Sequence, residues 1–156
     1  MAHLEEKAEL IQVTNDYPDT VATFLSLGRD YLSDLSSDER ERFLRSILTR
    51  QSESDRWLLL LKYEGEYLGF IHMKIDRHER PGWGFILEFY IVPNKRRVGW
   101  GRRLFNLTVE ILRARGVKSI YLLSTPTSEQ FWYKLGFAGT GEIDKETCQK
   151  VLVTSI

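Results

Sequence analysis

Three strand-like segments follow one another between Trp57 and Val92, and then the apolar spacing switches to that of a helix. The run Trp57-Leu58-Leu59-Leu60-Leu61 is short and continuously apolar, as a strand covered on both faces requires. Glu64-Gly65-Glu66 predicts a hairpin turn, and Tyr67 to Ile75 returns as a second strand. Asp76 to Gly82 is polar and ends in Pro81-Gly82, which predicts a loop. Trp83 to Val92 then predicts a third strand, closed by Pro93-Asn94. A chain with this series builds a sheet, and the segments on either side must cover it.

Those flanking segments have the pattern to do so. Glu9 to Thr14 predicts a short first strand, and Asp16, Pro18 and Asp19 mark a turn and helix start before Val21, Phe24, Leu25 and Leu27. Ser36-Ser37-Asp38-Glu39 reads as a second helix N-terminus, with a capping serine and acids in the first turn. Phe43, Leu44, Ile47 and Leu48 follow at helical spacing. After the third long strand, Leu104, Leu107 and Ile111, flanked by Phe105 and Leu112, predict one buried helix face, with Gly116 as the residue past its end. Lys118 to Leu123 is a strand, Ser124 to Ser128 turns into a short helix through Leu135, and Gln149 to Ile156 is a last strand. The expected order is β-α-α-β-β-β-α-β-α-β, an α+β fold with helices on the faces of a mixed sheet. The 156 residues carry no repeat and no Pro/Gly/Ser linker, so residues 1–156 are expected to form one domain.

Composition excludes several function classes. Acidic and basic residues number 22 each, so no global field draws the chain to nucleic acid or to an anionic membrane. Residues 1–10 do not resemble a secretory signal, and no apolar run approaches the roughly 20 residues of a membrane span. One cysteine, Cys148, rules out an internal disulfide and fits a reducing cytoplasm. His3, His72 and His78 have no metal-ligand spacing with one another or with Cys148, and no metal is expected.

Chemistry concentrates in the stretch Ile91 to Arg103, between a predicted strand and a predicted helix. Five of the nine residues from Lys95 to Arg103 are basic and none is acidic. A helix N-terminus offers unpaired backbone N–H groups and a partial positive charge. Gly99 and Gly101 remove side chains where a phosphate must approach the backbone. Together these describe an anion cradle suited to a pyrophosphate; the alternative is a solvated basic turn. No Walker-type phosphate loop occurs, and the dinucleotide fingerprint fails because Leu104 stands at its third glycine.

Arg96-x-x-Gly99-x-Gly101 resembles the Arg/Gln-x-x-Gly-x-Gly/Ala signature of the GCN5-related N-acetyltransferase (GNAT) superfamily. Phe131-Trp132-Tyr133-Lys134-Leu135-Gly136-Phe137 resembles that family's second recurrent segment, in the right order and at the right separation. The resemblance implies a mixed, mainly antiparallel sheet and acetyl-CoA as co-substrate. It implies that Arg96, Arg97, Val98, Gly99, Trp100, Gly101 and Arg102 hold the coenzyme's phosphates. Backbone groups of Ile91 and Val92 would face the pantetheine arm and the acyl carbonyl, with Ser124 a further contact. The sequence departs from the family at Trp132, where many members carry a tyrosine that protonates the leaving thiolate. Tyr133 is the candidate acid instead, or else packs against the sheet edge.

Transfer to an amine needs a group that takes the ammonium proton, since a lysine-like amine has a pKa near 10.4. Glu88, in the apolar run Phe85 to Ile91, is the candidate base and matches the acidic position of the family's strand pattern. A carboxylate there must be solvated or paired, so it could also face outward or partner His72 or an arginine. Tyr31 lies in the part of the family that shapes the acceptor site, without a role legible in sequence. The implied activity is acetyl transfer to a primary amine of a small molecule or protein; the alternative is a non-catalytic acyl-CoA-binding sensor or regulatory module. A homodimer through a sheet edge stays open.

Overall fold

The computed structural model describes residues 7–156; residues 1–6, with His3, lie outside the described part. Its strands are β1 (Glu9–Gln12), β2 (Arg56–Tyr63), β3 (Glu66–Ile75), β4 (Gly84–Ile91), β5 (Ser119–Ser124), β6 (Ala138–Ile143) and β7 (Lys150–Ser155). Its helices are α1 (Pro18–Tyr31), α2 (Ser37–Thr49), α3 (Trp100–Ala114) and α4 (Glu129–Lys134). The strands form one sheet in the order β1-β2-β3-β4-β5-β7-β6. Pairing is antiparallel for β1 with β2, for β5 with β7 and for β6 with β7. It is parallel between β4 and β5, from Gly84 opposite Ile120 to Ile86 opposite Leu122.

Local chemistry explains most element ends. Pro18 starts α1, where its missing N–H costs nothing. The Ser36 side chain accepts from the Glu39 amide and caps α2. Glu64 (φ 49°) and Gly65 (φ 79°) make the left-handed pair that a tight hairpin needs between β2 and β3.

Two expectations require correction. β6 was not anticipated: Ala138-Gly139-Thr140-Gly141-Glu142-Ile143 lies at the sheet edge, every residue is exposed, and so it carries no apolar alternation. The buried face of α3 is Leu104, Phe105, Thr108, Val109 and Leu112, whereas Leu107 and Ile111 are only half-buried. Thr108 belongs to that face because its hydroxyl donates to the Leu104 carbonyl (2.9 Å), which satisfies it without water.

The chain packs as two compact units, one running up to His72 together with Glu88–Gly101, the other comprising Met73–Leu87 and Arg102–Ile156. In the first, Phe24 and Leu27 of α1 and Leu44 and Ile47 of α2 pack on Leu58, Leu60, Phe70 and Tyr90 of the strands. A Cβ at Gly69 would overlap the Tyr90 carbonyl oxygen, so β3 approaches β4 at a distance only glycine permits. In the second, Phe105, Trp132 and Phe137 form an edge-to-face aromatic cluster with centroid separations of 5.3–6.3 Å. Among the described residues no helix is long and apolar enough to cross a membrane.

Candidate active site

The first unit holds Glu88 in β4, beside the side chains of Tyr31 and His72. Its side chain is 11% exposed. Tyr31, the last residue of α1, donates its hydroxyl to Glu88 Oε2 at 3.1 Å. His72 of β3 places Nδ1 3.8 Å from Glu88 Oε1, and its side chain is only 3% exposed. On the far side of the ring, Arg56 Nη1 lies 2.8 Å from His72 Nε2, and Arg56 Nε donates to Glu53 Oε2 at 3.0 Å.

These contacts set protonation. Burial pushes the Tyr31 phenol up, and the neighbouring Glu88 charge adds to it, so Tyr31 remains a donor. Burial pushes His72 down; Glu88 opposes this, while Arg56 and Arg50 reinforce it. The Tyr31 ring is itself locked, edge-on to Phe70 at 5.6 Å and tilted on Tyr90 at 5.6 Å.

Beyond Ile91 the same strand runs into the basic turn. Pro93–Lys95 form one 3-10 turn, Arg97 adopts a left-handed φ of 64° and Gly99 one of 96°, and α3 opens at Trp100. A Cβ on Gly99 would meet nothing within 4 Å, so the backbone face there is open to a ligand. Arg97, Val98 and Gly99 are exposed, and Val98 is 72% so. Arg96 turns back: its Nε donates to the Ile91 carbonyl at 2.7 Å and its guanidinium lies over the Tyr90 ring at 5.4 Å. Arg96 therefore ties the end of β4 to the turn. Trp100 packs on Tyr63 at 4.7 Å, which anchors the start of α3.

The backbone at Ile91 and Val92 is partly committed within the chain. The Ile91 carbonyl accepts from Arg96, the Val92 amide donates to Leu68 O at 2.8 Å, and the Val92 carbonyl accepts from Lys95 N at 3.0 Å.

Gly101 closes the first unit, whereas Arg102, Ser124 and Tyr133 belong to the second. Arg102 Nη2 donates to the Lys134 carbonyl at 3.0 Å, joining the first turn of α3 to the end of α4. Ser124, 1% exposed at the end of β5, donates to the Thr125 carbonyl at 2.9 Å and lies 3.1 Å from Ser128 Oγ, so its hydroxyl organises the turn into α4. Tyr133 is half-buried on α4. Trp132 beside it is a core residue, packed against Phe105, Phe131 and Phe137, and that burial is where an indole outperforms a phenol.

Sequence reasoning left Tyr31 without a role and Arg56 unnoticed. Tyr31 closes an apolar helix face and Arg56 opens an apolar strand, positions at which a polar group must find a partner. That requirement was the available signal, but it does not name the partner.

Comparison with known proteins places the fold. The fold resembles the PaiA N-acetyltransferase from Thermoplasma acidophilum, solved in complex with coenzyme A, with a TM-score of 0.73 and 18% identity over 96% of this chain and 99% of that one. It also resembles an acetyltransferase from Thermus thermophilus, with a TM-score of 0.77 and 18% identity over 96% and 97% of the two chains. An aminoglycoside 6'-N-acetyltransferase complexed with coenzyme A aligns with a TM-score of 0.71 and 14% identity over 94% and 96%. A search of curated protein sequences finds no match. The family model described as "Acetyltransferase (GNAT) family" matches residues 21–137, three quarters of the sequence and both recurrent segments with it, and the chain therefore belongs to the GNAT acetyltransferase family.

Proposed function

We propose that this protein is an acetyl-CoA-dependent N-acetyltransferase that moves an acetyl group to a primary amine of a small molecule or protein, in a ternary complex and with Glu88 as general base. The observation that carries this reading is the Glu88 carboxylate, retained in a mostly buried strand position between the Tyr31 hydroxyl and the His72 ring, with 11% of its side chain exposed. A carboxylate in a core strand is costly, and a purely structural one would be fully hydrogen-bonded. In this reading 1–156 acts as one acyltransferase domain.

Acetyl-CoA, when bound, supplies an activated thioester carbonyl. Arg97, Val98, Gly99, Trp100 and Gly101 fit its pyrophosphate: the open backbone at Gly99, the left-handed Arg97 and the α3 N-terminus form an anion cradle. Arg96 serves by fixing that turn on Ile91, and Arg102 and Ser124 are the further coenzyme contacts in this reading. Glu88 takes the proton that the amine must lose to attack, directly or through one water. Tyr133, whose O–H can donate where the Trp132 indole is packed in the core, is the candidate to protonate the departing thiolate. The lone Cys148, an exposed thiol, suits a cytoplasmic setting.

Thermal unfolding with acetyl-CoA, with CoA and with NAD, followed by an amine panel, tests the reading. At about 100 times the dissociation constant, bound coenzyme stabilises by roughly 2.7 kcal/mol, a shift of several degrees. Stabilisation by acetyl-CoA and CoA but not NAD, together with acetylated amine, is expected. Binding without transfer to any amine would favour the acyl-CoA sensor, and no binding would remove the acyltransferase reading.

A further inference from the structure

Glu88 is held by more than a hydrogen-bond partner. A guanidinium carries only N–H donors, so the 2.8 Å contact between Arg56 Nη1 and His72 Nε2 requires a bare lone pair on Nε2. The ring proton must then sit on Nδ1, the nitrogen that faces Glu88 Oε1 at 3.8 Å. A doubly protonated ring would set an N–H against an N–H at 2.8 Å, with two cations in contact and Arg50 close by. Nδ1 is also a buried atom with no hydrogen-bond partner. At 3.8 Å it lies just beyond a direct bond to the carboxylate, the kind of spacing that tightens when a substrate completes a site.

We propose that His72, locked by Arg56 as the neutral Nδ1–H tautomer, is a positioning residue that aims and steadies the Glu88 carboxylate. This rests on Glu88 being the base. The arrangement has a chemical consequence. A cation directly against Glu88 would stabilise its charged form and weaken it as a proton acceptor. Tyr31 on Oε2 and His72 opposite Oε1 are both neutral donors, so they orient the carboxylate without setting a full positive charge against it. The positive charge in the chain is kept one residue back, on Arg56, which Glu53 in turn holds through Nε. The groups facing the imidazole are thus Arg56 of β2, Arg50 of the preceding 3-10 turn and Glu88 of β4.

Nitrogen-15 NMR of the full chain with labelled histidine, between about pH 5 and 8, tests this without any substrate. The His72 signals are assigned by their loss in His72→Asn, which separates them from His3 and His78. The expected spectrum has a protonated Nδ1, a bare Nε2 and no titration near the ordinary value of about 6.5. A proton on Nε2, or titration at the ordinary value, overturns the inference. Kinetics supply the second arm. An Asn amide nitrogen reaches the place of Nδ1, whereas a Gln amide reaches that of Nε2. His72→Asn should therefore keep kcat near wild type, while His72→Gln lowers kcat roughly tenfold at unchanged KM. Equal loss in both variants would make His72 a packing residue only. Should Glu88→Gln prove as active as wild type, the base reading fails while the spectra stay as they are; the two ideas are separable.

Discussion

Two carboxylates, the half-buried Glu88 in the first unit and the buried Asp76 in the second, show opposite ways of placing an acid inside a sheet protein. Asp76 is 2% exposed and saturated: it accepts from the backbone amides of Arg77 (2.9 Å), His78 (3.3 Å) and Arg80 (2.8 Å) and from the Tyr121 hydroxyl (2.6 Å). Burial alone would push its pKa up, but these four donors outweigh it and hold Asp76 at about 2. Its backbone N–H and C=O are used as well, on Trp83 and Gly82, so it pins the whole loop between β3 and β4. Glu88 has one bond at 3.1 Å, one ring nitrogen held off at 3.8 Å and a partly exposed side chain. A carboxylate satisfied from every side is structural and has no capacity left for a proton. One left short of donors and partly exposed is where chemistry can happen.

The sharpest way to break that contrast is Glu88→Gln. It should lower kcat/KM by roughly 10²–10⁴-fold, the usual contribution of a general base, while the unfolding midpoint moves little. Steady-state kinetics beside a thermal scan decide it, and unchanged turnover would place Glu88 with Asp76 as a structural group. Asp76→Ala should behave inversely. It strands the Tyr121 hydroxyl and three amides, costing about 2–3 kcal/mol and lowering the midpoint by several degrees. A midpoint unchanged in that variant would mean that water replaces the carboxylate and that saturation is not the source of its worth.

The acid limb of stability sharpens the comparison further. The folded pKa of Asp76 lies below its unfolded value near 3.9, so its contribution is fully present above that value and is lost as pH falls through about 2. The loss should total about 2 kcal/mol and vanish in Asp76→Asn. His72 is also depressed when folded, by burial first, so its contribution is present above about 6.5 and declines as pH falls below it. Chemical denaturation from about pH 7 down to about pH 2 should therefore show two separate declines, the upper one absent in His72→Asn. A single decline would show that one of the two groups is not buried in its assigned form.

Much of the fold was legible because its signals are local. The Leu58–Leu61 run, the Glu64-Gly65 turn, the Ser36 cap and the apolar spacing of α3 each depend on neighbours within a few residues. β6 was illegible for the converse reason: its existence depends on pairing with β7, and its residues face solvent. On α3, Thr108 replaces an apolar residue by bonding its own helix, which rotates the apparent face. The site divides in the same way. The Arg96 turn and Glu88 stand out as charge in an apolar or glycine-rich setting, but Tyr31 is 57 residues from Glu88 and Arg56 is 16 from His72. Such pairings come from the packing of α1 on the sheet and from cross-strand register, which no spacing within the chain encodes.

The smallest effect belongs to Tyr31→Phe, and it is the one that separates holding Glu88 from merely covering it. Phenylalanine keeps the ring contacts with Phe70 and Tyr90, so the core should lose well under a kilocalorie, about what a surface change costs. What disappears is the O–H on Glu88 Oε2. Glu88 keeps its place in β4 and its His72 neighbour, so kcat/KM should fall only about fivefold. The split between kcat and KM is the more telling reading. Burial and the Glu88 charge keep Tyr31 protonated throughout the working range, so the phenol itself contributes no titration. Removing a donor that holds Glu88 should lower kcat while KM stays near the wild-type value. A raised KM at unchanged kcat would mean that Tyr31 shapes the acceptor site rather than holding the base.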